Sequence, residues 1–149
     1  MASDNLLRVS GPGSGNHVQA TAITANGDLI GSNPAVNLGP NKVCQAQARI
    51  GGAFTAGGSL AIQIYECDNQ AGANPALIAA TSAMLRTNVG DPSSATPAVQ
   101  YPVPPVVVTF ATGARGYVKA TAAVVGTTSA AGVSVVLSPQ AGAVVKSGG

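Results

Sequence analysis

The chain has no tryptophan, two phenylalanines, three tyrosines and one histidine, and only 8% of its 149 residues are charged. Each shortage excludes a class of function. Acid–base and metal chemistry need convergent His, Cys, Asp or Glu, whereas His17 stands beside a Gly-rich segment and the five carboxylates show no ligand spacing. Nucleophilic hydrolysis needs a Ser or Cys with a histidine partner, and the lone His17 precedes every stretch that reads as a strand. Gly11-Pro12-Gly13-Ser14-Gly15 is followed by neither Gly-Lys-Ser/Thr nor a helix start, so it is no phosphate cradle. Tyr65, Tyr101 and Tyr117 sit on separate segments and make no stacking platform. The seven cations, Arg8, Lys42, Arg49, Arg86, Arg115, Lys119 and Lys146, occur singly, so the net charge of +2 forms no basic face for nucleic acid.

Long apolar runs are also missing. The longest aliphatic run, Val106 to Val108, follows Pro102, Pro104 and Pro105, far short of a membrane span. Met1 to Ser10 has only Leu6-Leu7 as an apolar nucleus, too little for a secretory segment, so the expectation is a soluble protein made in a cytoplasm. Cys44 and Cys67 are then expected to be reduced. Glu66 and Asp68 share a face at a strand end and read as a solvated strand-to-loop junction in preference to a cation site. The expectation is a non-enzymatic protein with no catalytic residue, cofactor or metal.

What the chain does have is Ala and Val in alternating patterns. Cys44, Ala46, Ala48 and Ile50 alternate with Gln45, Gln47 and Arg49, the period-2 signature of a strand with one wet face. Leu60, Ile62 and Ile64 repeat it, and the turn-forming stretch Gly51 to Gly58 between them predicts a hairpin with a long loop. Val118 to Val124 and Val133 to Leu137 are two more strands, joined through Gly126 to Gly132. Weaker patterns lie at Val18 to Thr24, Asp28 to Ile30, Val99 to Val103 and Val106 to Phe110. Between Pro75 and Arg86 a helix competes with a strand, and the strand is preferred. The core is expected to be thin, built of small and β-branched side chains. The fold class expected is all-β: a jelly roll or β-sandwich of about eight short antiparallel strands, residues 17–139, with an N-terminal arm, 1–16, and a C-terminal tail, 140–149.

Certain segments add a likeness. Asp4-Asn5-Leu6-Leu7, then Thr21-Ala22-Ile23-Thr24-Ala25-Asn26-Gly27-Asp28-Leu29-Ile30-Gly31 running into Asn37-Leu38-Gly39-Pro40, are followed in order by Ala53-Phe54, Gly57-Gly58-Ser59-Leu60 and Arg115-Gly116-Tyr117-Val118. Together they resemble the jelly-roll cement proteins that decorate tailed-phage capsids, a family typified by a Bordetella phage. Two departures are that Gly116 separates Arg115 from Tyr117 and that the Gly11 to Asn16 stretch is longer. The resemblance implies a protein on the outer surface of an assembled virion head, made in a bacterial cytoplasm, that bridges neighbouring major capsid proteins without catalysis. Self-association is also expected, a dimer before a trimer, because Ala- and Val-rich faces bearing Ala123, Val125 and Val136 need covering. Candidate partner contacts are Asp4, Leu6, Leu7 and Arg8 of the arm, together with Phe54. The arm is too polar to dock on its own body, Leu6 and Leu7 are its apolar surface, and Asp4 and Arg8 pair at the rim. Another virion part (tail, head-closure or fibre) is the second reading, and a carbohydrate-binding sandwich the third.

Overall fold

The computed structural model describes residues 7–8, 22–29, 33–54, 57–86 and 106–139. The protein is all-β. Ten strands occur among the described residues: β1 (Leu7–Arg8), β2 (Gly27–Asp28), β3 (Val36–Asn37), β4 (Val43–Ile50), β5 (Ser59–Cys67), β6 (Ala76–Ala80), β7 (Met84–Leu85), β8 (Val106–Ala111), β9 (Tyr117–Val125) and β10 (Val133–Pro139). They form two antiparallel sheets. The first has the order β1-β10-β4-β8 and the second β2-β9-β5-β6, with β3 also on β9 and β7 also on β5.

β2 and β3 lie end to end along β9, at Ala122–Thr121 and Val118–Tyr117, so they act as one strand interrupted by a loop. β6 and β7 do the same along β5, where Thr81 bridges the interruption by donating its N–H to the Ile62 carbonyl and accepting the Ile62 N–H on its hydroxyl. Counted that way the strands nest: β1 pairs with β10, β2/β3 with β9, β4 with β8, and β5 with β6/β7. A long antiparallel ribbon has been rolled so that β10 also lies against β4, and β9 against β5.

Alternation explains which faces meet. Leu60, Ile62 and Ile64 of β5, Val118, Ala120 and Ala122 of β9, Cys44, Ala46, Ala48 and Ile50 of β4, and Val133, Val135 and Leu137 of β10 are buried in one hydrophobic cluster shared by both sheets. Small side chains on β4 and β9 are offset by large ones on β5 and by Phe54, Met84 and Phe110, so the core is fuller than the Ala-rich composition predicts.

The expected hairpin between β4 and β5 does not form, because the two strands belong to different sheets. Gly51 and Gly52 donate to Gly132 and Ala131, and Ala131 donates to Ala53, so this segment pairs with the β9–β10 loop while crossing between layers. The segment from Pro75 to Arg86 is strand, as preferred, in two pieces. Of Val18 to Thr24, the described part contains only an isolated bridge, Ile23 to Ala130; Asp28 falls in β2; and Val99 to Val103 lies outside the described residues.

Candidate functional site

Among the described residues no group of three or more His, Cys, Asp or Glu is placed to hold a metal ion. Cys44 and Cys67 are free and buried, and burial pushes both thiols above their ordinary pKa. They are packing residues, protonated at neutral pH.

Among the described residues the densest polar cluster is a junction at one end of the sandwich. Glu66, near the end of β5, is 6% exposed, and its Oε2 accepts the backbone N–H groups of Gly113 and Gly116, each at 2.8 Å. Between those glycines Arg115 reaches back, donating to Asp68 Oδ1 at 2.9 Å, to the Asn74 carbonyl at 2.7 Å and to the Glu66 carbonyl at 2.9 Å. Asn74 donates to the other Asp68 oxygen at 2.6 Å. The Asn74 and Arg115 donors hold the Asp68 carboxyl below the usual carboxylate range, and Asp68 in turn raises the Arg115 guanidinium. Thr112 completes the junction: its hydroxyl donates to the Gly39 carbonyl at 2.7 Å and accepts the Lys42 N–H at 2.8 Å.

The sequence reading of Glu66 as solvated is corrected here, since a carboxylate at a strand end is buried once backbone donors surround it. The signal for it is the Gly113-Ala114-Arg115-Gly116 run, whose glycines allow close approach. Gly116 has φ +79°, and a Cβ there would lie 2.6 Å from the Gly39 carbonyl carbon. With one Glu66 oxygen engaged by two backbone donors, this junction fastens the loops around it.

Two charge-poor outer faces remain. On the second sheet the outward residues fall in rows: Val125 and Leu85 flank Ser59, Ala123 faces Ala61, Thr121 and Ala80 flank Gln63, and Lys119 and Leu77 flank Tyr65. Val125 is 68% exposed, Leu77 54% and Leu85 41%. Lys119 is 3.0 Å from Asp28, which also accepts from the Thr121 hydroxyl, and its ammonium lies over the Tyr65 ring. The first sheet shows Val43, Gln45, Gln47 and Arg49 of β4 beside Val107 and Thr109 of β8 and Val136 of β10. An open cleft beside β3, lined by Asn33, Asn37, Gln70 and Tyr117 among others, carries no charged group.

Of the predicted contacts, Asp4 and Leu6 lie outside the described residues. Leu7 and Arg8 form β1 on the edge of β10, opposite Leu137 and Val136. This corrects the expectation that the arm cannot dock on its own body: backbone pairing to a strand edge needs no apolar mass. Phe54 is 2% exposed and belongs to the core, so it is not a partner contact. Its position in the inter-sheet crossing turns the ring inward instead of outward. Comparison with family models, curated proteins and solved structures gave no match for this chain.

Proposed function

We propose that the protein is a capsid decoration protein that seats on the outside of an assembled tailed-phage head and bridges neighbouring major capsid proteins. The observation that carries this reading is where the quoted segments fall. Asn37-Leu38-Gly39-Pro40 and Arg115-Gly116-Tyr117-Val118, nearly eighty residues apart, are direct neighbours: Asn37 pairs with Tyr117, and Leu38 donates to the Gly116 carbonyl at 2.9 Å. Two of the segments that carry the likeness to cement proteins are thus adjacent in the fold. The nested strand order supports a jelly roll, the architecture that the likeness implies. Two faces with few charges suit attachment through buried area.

In this reading β1 anchors the arm at β10, and Asp4 and Leu6 precede that anchor in the chain. The test is co-sedimentation of purified protein with undecorated shells. Wild type pellets with shells, and a protein lacking residues 1–10 pellets about tenfold more weakly or less, a loss of about 1.4 kcal/mol or more. No pelleting of the wild type with any tailed-phage shell rejects decoration. Tubes or elongated trimers in negative stain would replace it with a tail or fibre role.

A further inference from the structure

We propose that the outer face of the second sheet is a self-association seam, occupied by the same face of a second copy. This deepens the self-association within the reading above and rests on that reading for nothing else. Among the described residues, three of the five exposed large hydrophobic side chains, Val125, Leu77 and Leu85, project from this face. Between them the surface is uncharged and mostly low, made of Ser59, Ala61, Ala80, Thr121 and Ala123 with Gln63. Two facing sheets pack at about 10 Å with their side chains interdigitating, and the projecting Val125, Leu77 and Leu85 have low neighbours to enter between.

Charge selects the occupant. An isologous contact sets one patch against the same patch of the second copy, so a face with net charge repels itself. The strand residues of this face carry one cation and one anion, Lys119 and Asp28, already joined to each other at 3.0 Å. The described strand residues of the first sheet's outer face include the exposed cation Arg49 and no anion, so self-pairing would bring together two faces of the same sign. The area also fits. Nine-residue strands, β5 and β9, in a sheet four strand positions wide give a face of roughly 30 by 19 Å, about 570 Å² before side-chain relief. With relief that approaches the roughly 800 Å² per partner of a standard interface.

Sedimentation velocity of the full chain across the micromolar range tests the seam. The wild type should be a dimer, and Val125→Glu combined with Leu77→Glu should raise its dissociation constant about tenfold or more with an unchanged far-UV circular dichroism spectrum. Val107→Glu, on the opposite face, should leave the dimer intact. Should the double variant misfold, dilution of the wild type supplies the second readout: amide shifts of Ala61, Thr121 and Ala123 should move with concentration while those of Gln45 and Gln47 stay. A wild type monomeric throughout, a dimer that survives the double Glu variant, or shifts confined to Gln45 and Gln47 would each overturn the seam. Shell pelleting is scored separately, so a dimer that ignores shells keeps the seam and removes decoration, whereas a monomer that pellets does the reverse.

Discussion

Glu66 shows how one side chain can organise an end of a domain. Its oxygen satisfies two backbone donors that have no strand partner, so Glu66→Ala leaves the N–H groups of Gly113 and Gly116 stranded. The expected cost is about 2–4 kcal/mol in urea unfolding, at roughly 1–3 kcal/mol for each buried donor left unmade, with Glu66→Gln costing less. Asp68, by contrast, is exposed and acts through charge. Its folded pKa is lowered, chiefly by the Asn74 hydrogen bond and then by Arg115, so its contacts are present above the ordinary carboxylate range and are lost as pH falls through the depressed value. Titration followed by NMR should place the Asp68 carboxyl midpoint below that of an unfolded peptide. Asn74→Ala should move it back up; a midpoint that does not respond would show that Asn74 is not the cause.

At the scale of elements, the crossings between layers are more constrained than the strands they join. A Cβ on Gly58, where the β4–β5 crossing enters β5, would overlap the Thr128 hydroxyl and the Thr127 carbonyl. The Thr128 hydroxyl donates to the Val125 carbonyl at 2.8 Å with the Ser59 carbonyl 3.2 Å away, so it has little room to retreat. Gly58→Ala should therefore destabilise by about 1–3 kcal/mol in thermal or urea unfolding, the range of an overpacked core site. The long strands were legible because Ala46, Ile62, Ala120 and Val135 each sit in an unbroken period-2 pattern that burial of one face enforces. The partner of each strand was not. A Gly-rich loop after an alternating strand reads alike whether the chain returns beside itself or steps to the other layer, and only the Gly51–Gly132 pairing decides it. The Glu66 junction was hidden for a related reason: its members, from residue 39 to residue 116, meet only after the ribbon has rolled. Phe54 was misread because an aromatic in a loop looks like a surface feature until the loop is seen to pass over the core.

For the whole molecule, the nesting of β1 with β10 sets what an N-terminal truncation does. Removing residues 1–10 deletes β1 from the edge of β10, so stability should fall by about 1–2 kcal/mol, the net worth of one or two ladder hydrogen bonds. A truncated protein with unchanged unfolding would show that β1 contributes nothing to the free molecule. The same nesting governs how the chain is born. β10, the last described strand, lies in the interior of its sheet, with β4 on one side and β1 on the other. While a ribosome still holds the segment after β9, β4 lacks one of its two neighbours and β1 has no strand to pair with. The first sheet therefore closes only once β10 has emerged, and each closing contact joins positions far apart in the chain, a topology that belongs with the millisecond-to-second folders. During that interval one edge of β4 is open to pairing with other chains, so heavy synthesis in one cell is the condition under which aggregation through that edge is expected.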